Sequence, residues 1–154
     1  MSTTKAFQDL MIDNHCFGCG ADNTQGLQIK SYWSEPDLAV CQFLASPHHC
    51  SGPEKYLNGG IISTLIDCHC VCTAIAKAYQ IEGREIGSGA PILFVTGNLD
   101  ISFRAPTPID IPVTLEAKVL EAKEKKITLQ SSLLAGETLC AVATVIAIRA
   151  PKHW

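Results

Sequence analysis

An asparagine, two glycines and one aspartate, strung along an apolar run, carry the most chemistry in this chain. The run reads Asn58-Gly59-Gly60-Ile61-Ile62-Ser63-Thr64-Leu65-Ile66-Asp67. Asn58 suits a helix N-cap, because its side-chain oxygen can accept from a backbone N–H two or three residues on. Gly59 and Gly60 carry no side chains to shield the first-turn N–H groups. Bare donors at the positive end of a helix dipole suit a polarised carbonyl or an anion. Between Ile61 and Tyr79 the only charged or imidazole side chains are Asp67, His69 and Lys77. A helix this apolar is wrapped by the rest of its fold, and a carboxylate there needs a reason. Asp67 is the candidate base or nucleophile. His69, two positions on, points to another face and reads as an interface or core histidine.

The elements that must position these residues follow from turn signals and periodicity. Residues 1–14 read as a short amphipathic helix with Phe7, Leu10 and Met11 on one side. Residues 15–26, with Gly18, Gly20 and Gly26, read as a loop. Leu27–Trp33 and Leu38–Leu44 are expected strands joined at Ser34-Glu35-Pro36-Asp37. A loop rich in Pro, Gly and His precedes the long helix, expected from Asn58 to about Gln80. A Gly-rich break over residues 82–90 follows. Strands are then expected at Ile92–Phe103, Val113–Ala122, Lys126–Leu134 and Thr138–Arg149, paired as antiparallel hairpins. One long helix with about six antiparallel strands is an α+β fold, the sheet curled around the helix.

The chain has 154 residues, 47% hydrophobic and 18% charged, with a formal net charge of −3. Those values fit one domain over residues 1–154, with 1–26 as an N-terminal short helix and Cys/Gly loop. No basic block marks a nucleic-acid or anionic-membrane surface. Met1–Asp13 lacks the apolar stretch of a signal peptide, and no run of about 18 uninterrupted apolar residues marks a membrane span. The expectation is a soluble, cytoplasmic protein with no nucleic-acid or membrane partner.

There are 8 cysteines. With no export signal, a disulfide framework is not expected. Cys68, Cys70 and Cys72 fall in the helix, where a free thiol behaves as a small hydrophobe. Cys16-x2-Cys19 is half of a zinc spacing, and only His15, His48, His49 or Cys50 were open to complete it. Cys68 and Cys72, at i and i+4, fit a core stripe better than a metal pair. No metal and no cofactor are therefore expected.

Together these features resemble a hotdog-fold acyl-CoA thioesterase of the phenylacetate-pathway, PaaI-like type. That family's long helix opens with His-Gly-Gly and bears an Asp or Glu nine positions after the His. Here Asn58 takes the place of the His, and Asp67 stands at the acid position. Thr96-Gly97-Asn98-Leu99-Asp100-Ile101-Ser102-Phe103-Arg104-Ala105-Pro106 is similar to the family's long strand, which ends in an aromatic, a basic residue and Pro. Cys16-Phe17-Gly18-Cys19-Gly20 before Gly26-Leu27 resembles the opening of one subset. The loop over 81–90 is longer than in the shortest members.

The resemblance implies hydrolysis of a small or medium acyl-CoA, or of an acyl carrier protein thioester. Asp67, Gly59, Gly60, Asn58 and Thr96 become catalytic candidates; Ser63, Thr64, His49 and Arg104 become substrate-binding candidates. His48 and Ser51 could also line the entrance. About eight residues of helix separate the two halves by roughly 12 Å. One thioester cannot touch both, so Asp67 of one subunit must face the glycine turn of another. A homodimer at minimum, or a dimer of dimers, is the expected state. Competing readings are a non-catalytic acyl-binding or scaffold module and a hotdog dehydratase.

Overall fold

The computed structural model describes residues 4–154. Helix α2, Gly59–Ile81, lies against one six-stranded antiparallel sheet. Its length and mean hydropathy would admit it as a membrane span, but 61% of its most apolar window is buried inside the fold. The strands are β1 Ser31–Glu35, β2 Leu38–Phe43, β3 Phe94–Phe103, β4 Val113–Ala122, β5 Lys126–Ala135 and β6 Thr138–Arg149, in spatial order β1-β2-β4-β5-β6-β3. This is the α+β hotdog architecture expected from the sequence.

Strict alternation builds the inner face. Val113, Leu115, Ala117 and Val119 of β4 are buried, as are Ile127, Leu129 and Leu133 of β5. They meet Leu65, Ile66 and Cys70 of α2 in a single core. At about 25 cal/mol per Å² of apolar area, this helix–sheet contact is the main source of stability.

The three charged or imidazole side chains of α2, Asp67 among them, have separate destinations. Lys77 pairs with Asp37 in the β1–β2 turn at 2.6 Å. His69 is fully buried. Its Nε2 faces the Ala39 carbonyl at 3.2 Å, and its Nδ1 lies 2.8 Å from Ser31 Oγ. A carbonyl only accepts, so Nε2 carries the proton and the Ser31 hydroxyl donates to Nδ1. Gln8 Nε2 then donates to Ser31 Oγ at 2.9 Å, while Gln8 Oε1 accepts from the Ser31 N–H at 2.8 Å. His69 is thus a core histidine.

The structure corrects four expectations. The helix expected over residues 1–14 is a single turn, α1 Phe7–Leu10, with residues 1–3 outside the described ones. Gln8 explains it: that side chain turns inward to the His69 network instead of facing solvent. The first strand starts at Ser31, not Leu27. The backbone before it bonds to the cysteine loop, Leu27 N–H to Phe17 O at 2.7 Å and Ile29 N–H to Gly18 O at 3.2 Å. The strand expected from Ile92 starts at Phe94; the Ile92 N–H instead donates to the Tyr79 hydroxyl at 3.1 Å. Finally, β3 is no hairpin partner of β4. It pairs with β6 and forms one edge of the sheet.

Candidate active site

The Asn58 side chain caps α2 as expected, its Oδ1 accepting from Gly60 N–H at 2.7 Å and Ile61 N–H at 3.2 Å. That cap alters the donor set read from the sequence. Gly60 N–H is taken by the cap and is not bare. Gly59 N–H has no acceptor among the described residues, and neither has the Asn58 amide nitrogen. The helix mouth therefore offers one backbone donor and one side-chain NH2. A capping carbonyl is the nearest strong acceptor, so it satisfies the second and third N–H groups first.

Other candidates gather at this same end. His49 closes a short 3-10 turn, Pro47–His49. Its carbonyl accepts from Asn58 N–H at 2.9 Å and its Nδ1 accepts from Ser46 N–H at 3.0 Å, which fixes the approach to the helix. Ser63 and Thr64 donate back to the Gly59 and Gly60 carbonyls at 2.9 and 3.0 Å. Their hydroxyl protons are thereby committed, leaving oxygen lone pairs toward a ligand. Phe103, the last residue of β3, lies over Gly59; a Cβ there would sit 3.7 Å from the ring. Arg104 follows it on the surface, its backbone N–H held by Cys140 O at 2.7 Å.

Asp67 sits two turns along, apart from this group. Thr96 Oγ1 donates to Asp67 Oδ1 at 2.5 Å. A β-bulge between Thr96 and Asn98 turns the strand at this point, and bulges re-aim side chains in this way. Gly97 allows it, because a Cβ there would lie 2.5 Å from Ile148 Cγ1. The second oxygen of Asp67 has no hydrogen-bond partner among the described residues. Burial raises the Asp67 pKa, the Thr96 hydrogen bond opposes that shift, and charge on Cys19 adds to it. The carboxylate is thus a stronger base than a surface aspartate.

Asp67 and Thr96 line one side of a cavity of about 680 Å³, between α2, the start of β3 and the N-terminal segment. Val71, Ile75 and Tyr79 line it too. Sequence reasoning missed this cavity. Its signal was present: residues 67, 71, 75 and 79 fall every fourth position, one helix face.

The cysteines correct another expectation. Of His15, His48, His49 and Cys50, none joins Cys16 and Cys19 in a cluster among the described residues. Cys68 of α2 does, and the three sulfurs lie within 4.8 Å of one another.

Comparison with known proteins supplies the remaining context. Comparison with curated proteins gives no match. A thioesterase superfamily protein of Shewanella loihica is 29% identical, with TM-score 0.68, over 90% of this chain and 96% of that one. The PaaI protein of the Escherichia coli phenylacetic acid degradation operon is 14% identical, with TM-score 0.65, over 81% of each chain. A thioesterase of Haemophilus influenzae is 13% identical, with TM-score 0.68, over 87% of this chain and 86% of that one. The last two likenesses show the fold alone. The family model described as the thioesterase superfamily matches residues 54–141, which hold the helix mouth, Asp67 and Thr96. With more than half its length matched, this chain belongs to the thioesterase superfamily.

Proposed function

We propose that this protein hydrolyses the thioester of a small or medium acyl-CoA, or of an acyl carrier protein, at sites shared between two copies. The observation that carries the reading is Asp67, held by Thr96 on one oxygen, with the other free at the wall of an apolar cavity. That free oxygen is placed to take a proton from water. The hydroxide formed attacks the thioester carbonyl carbon. Negative charge then grows on the carbonyl oxygen, and donors aimed at it lower the barrier. Gly59 N–H and the Asn58 amide group are the donors left uncommitted at the helix mouth. As the C–S bond breaks, the proton held by Asp67 passes to the leaving sulfur. The products are a carboxylic acid and a free thiol.

Sharing between copies is supported by the path of β3. This strand is an edge, long and largely exposed. Its Thr96 end lies at Asp67 and its Phe103 end at Gly59. If two copies pair these edges antiparallel about the strand's middle, the two-fold axis exchanges the ends. Asp67 of one copy then approaches the helix mouth of the other, and an open edge is covered. The same arrangement serves a dimer of dimers.

The test is thiol release from a panel of acyl-CoA and acyl carrier protein thioesters by the purified protein. Turnover of at least one, lost in Asp67→Asn, supports the reading. Tight binding of acyl-CoA with no turnover would make the protein an acyl-binding module. Hydration of an enoyl thioester would make it a dehydratase.

A further inference from the structure

Three of the cysteines converge at one place, and the proposed hydrolysis does not use them. Cys16 and Cys19 come from the N-terminal loop, and Cys68 comes from α2. Their sulfurs all lie within 4.8 Å of one another, with Cys16 Sγ and Cys68 Sγ 3.7 Å apart. Two thiolates bound to a tetrahedral ion at about 2.3 Å stand about 3.8 Å apart, so this spacing is already that of ligands. Cys72 lies one turn beyond Cys68 on the same helix face. It lines the same cavity as the other three but lies outside their 4.8 Å group.

The loop is shaped to bring the sulfurs together. A Cβ on Gly18 would lie 2.3 Å from Cys68 Sγ and 2.8 Å from Thr64 Cγ2. Only glycine lets the loop close on the helix at this point. Gly20 N–H donates to Cys16 O at 2.8 Å, turning Cys16 and Cys19 to the same side. Leu27 N–H and Ile29 N–H then tie the loop to the following segment through Phe17 O and Gly18 O.

A hydrophobic role explains this less well. Cys41 and Cys70 are buried singly, and burial pushes their thiols up to about 11 and about 12. They behave as small apolar groups. The cluster differs: apolar packing does not gather three sulfurs from two distant segments within 4.8 Å, nor does it call for Cys16, which is exposed.

We infer that Cys16, Cys19 and Cys68 form a thiolate zinc site that pins the N-terminal loop to the central helix. Zinc favours sulfur ligands in a tetrahedron, and Cys72, one turn along α2, is the thiol that could turn to close the set. Binding releases the thiol protons to solvent and changes no oxidation state. The loop and Met11 wall the cavity beside Asp67, so the ion would also fix the shape of that cavity.

The test begins with the full chain, untagged and purified under reducing conditions. Elemental analysis should give one zinc per chain. Cobalt in its place should show thiolate-to-metal charge transfer and the strong visible bands of a tetrahedral site. The cadmium-113 resonance should fall in the range of three or four thiolate ligands. Cys16→Ser is the first variant, because Cys16 is exposed and its loss leaves the fold intact. It should weaken zinc binding on the order of a hundredfold. Cys68→Ser should do the same, while Cys50→Ser should bind as the parent does. Absence of zinc after stoichiometric addition, or a Cys16–Cys68 disulfide as the only species in reduced protein, would overturn the inference.

Discussion

Asp67 and His69 sit two residues apart on one helix and lead opposite lives. His69 is fully buried, and both ring nitrogens are engaged, by Ser31 and by the Ala39 carbonyl. Burial pushes its pKa down to about 4, so it stays neutral and fixed in one tautomer. Asp67 has one hydrogen bond, from Thr96, and one free oxygen beside a cavity. A polar group whose every bond is made by the protein serves architecture. One left with an open valence toward a cavity has something to give a ligand. The cost of burying each side chain is met differently: for His69 by a complete network, for Asp67 by a single donor and access to water.

Substitutions can break this contrast. The largest effect is expected for Asp67→Asn. Losing a general base should lower kcat by about a hundredfold or more, with melting temperature unchanged or higher. A variant that hydrolyses acyl-CoA at the parent rate would make Asp67 as structural as His69.

Asn58→Asp comes next. Asp caps a helix as well as Asn and favours its positive end, so stability should hold. The change removes the free amide donors and sets a negative charge where the carbonyl oxygen gains its own. The rate constant kcat should fall by roughly tenfold to a hundredfold on a good acyl-CoA substrate. Asn58→His, assayed beside it, should match or exceed the parent. If Asp is harmless and His is damaging, the thioester carbonyl does not lie at this helix end.

His69→Leu should show the reverse pattern. It strands the Ser31 hydroxyl and the Ala39 carbonyl in the core, each at about 1–3 kcal/mol. Thermal unfolding should shift down by several degrees, roughly 2–4 °C per kcal/mol at this size. The value of kcat in the folded fraction should stay within about twofold. A large loss of turnover with unchanged stability would erase the distinction between the two residues.

Thr96→Val sharpens the contrast at its weakest point. It removes the one hydrogen bond that Asp67 receives from the protein and nearly keeps the shape. One such bond is worth about 1 kcal/mol, so kcat should drop about fivefold. No change in kcat would show that the bulge at Gly97 positions nothing of consequence.

The fold was more legible than the site. Period-2 alternation marked β4 and turn signals set off β6 at their observed limits, Val113–Ala122 and Thr138–Arg149, and apolar density placed α2 to within a residue at each end. Where expectation failed, a long-range contact had won. Gln8 left a helical pattern to reach Ser31, and Leu27–Lys30 left a strand pattern to meet the cysteine loop. Pattern reads faces, and it does not read partners far along the chain. The site failed in the same way. Spacing on the helix separated Asp67 from the glycines correctly. It did not reveal that Asn58 consumes the Gly60 N–H, or that Cys68 faces a loop some fifty residues earlier in the chain.

The central claim is that each active site takes Asp67 from one copy and the helix mouth from another. Mixing Asp67→Asn with Asn58→Asp tests it most directly. Each variant alone is damaged at both sites of its dimer. In a mixed dimer, one site regains Asp67 and Asn58 together, and the other loses both. After partial unfolding and reassembly of equal amounts, the account predicts recovery to about a quarter of parent activity, since half the dimers are mixed and each carries one good site. Mixed dimers present by native mass spectrometry, with activity no higher than the average of the two variants, would contradict a shared site.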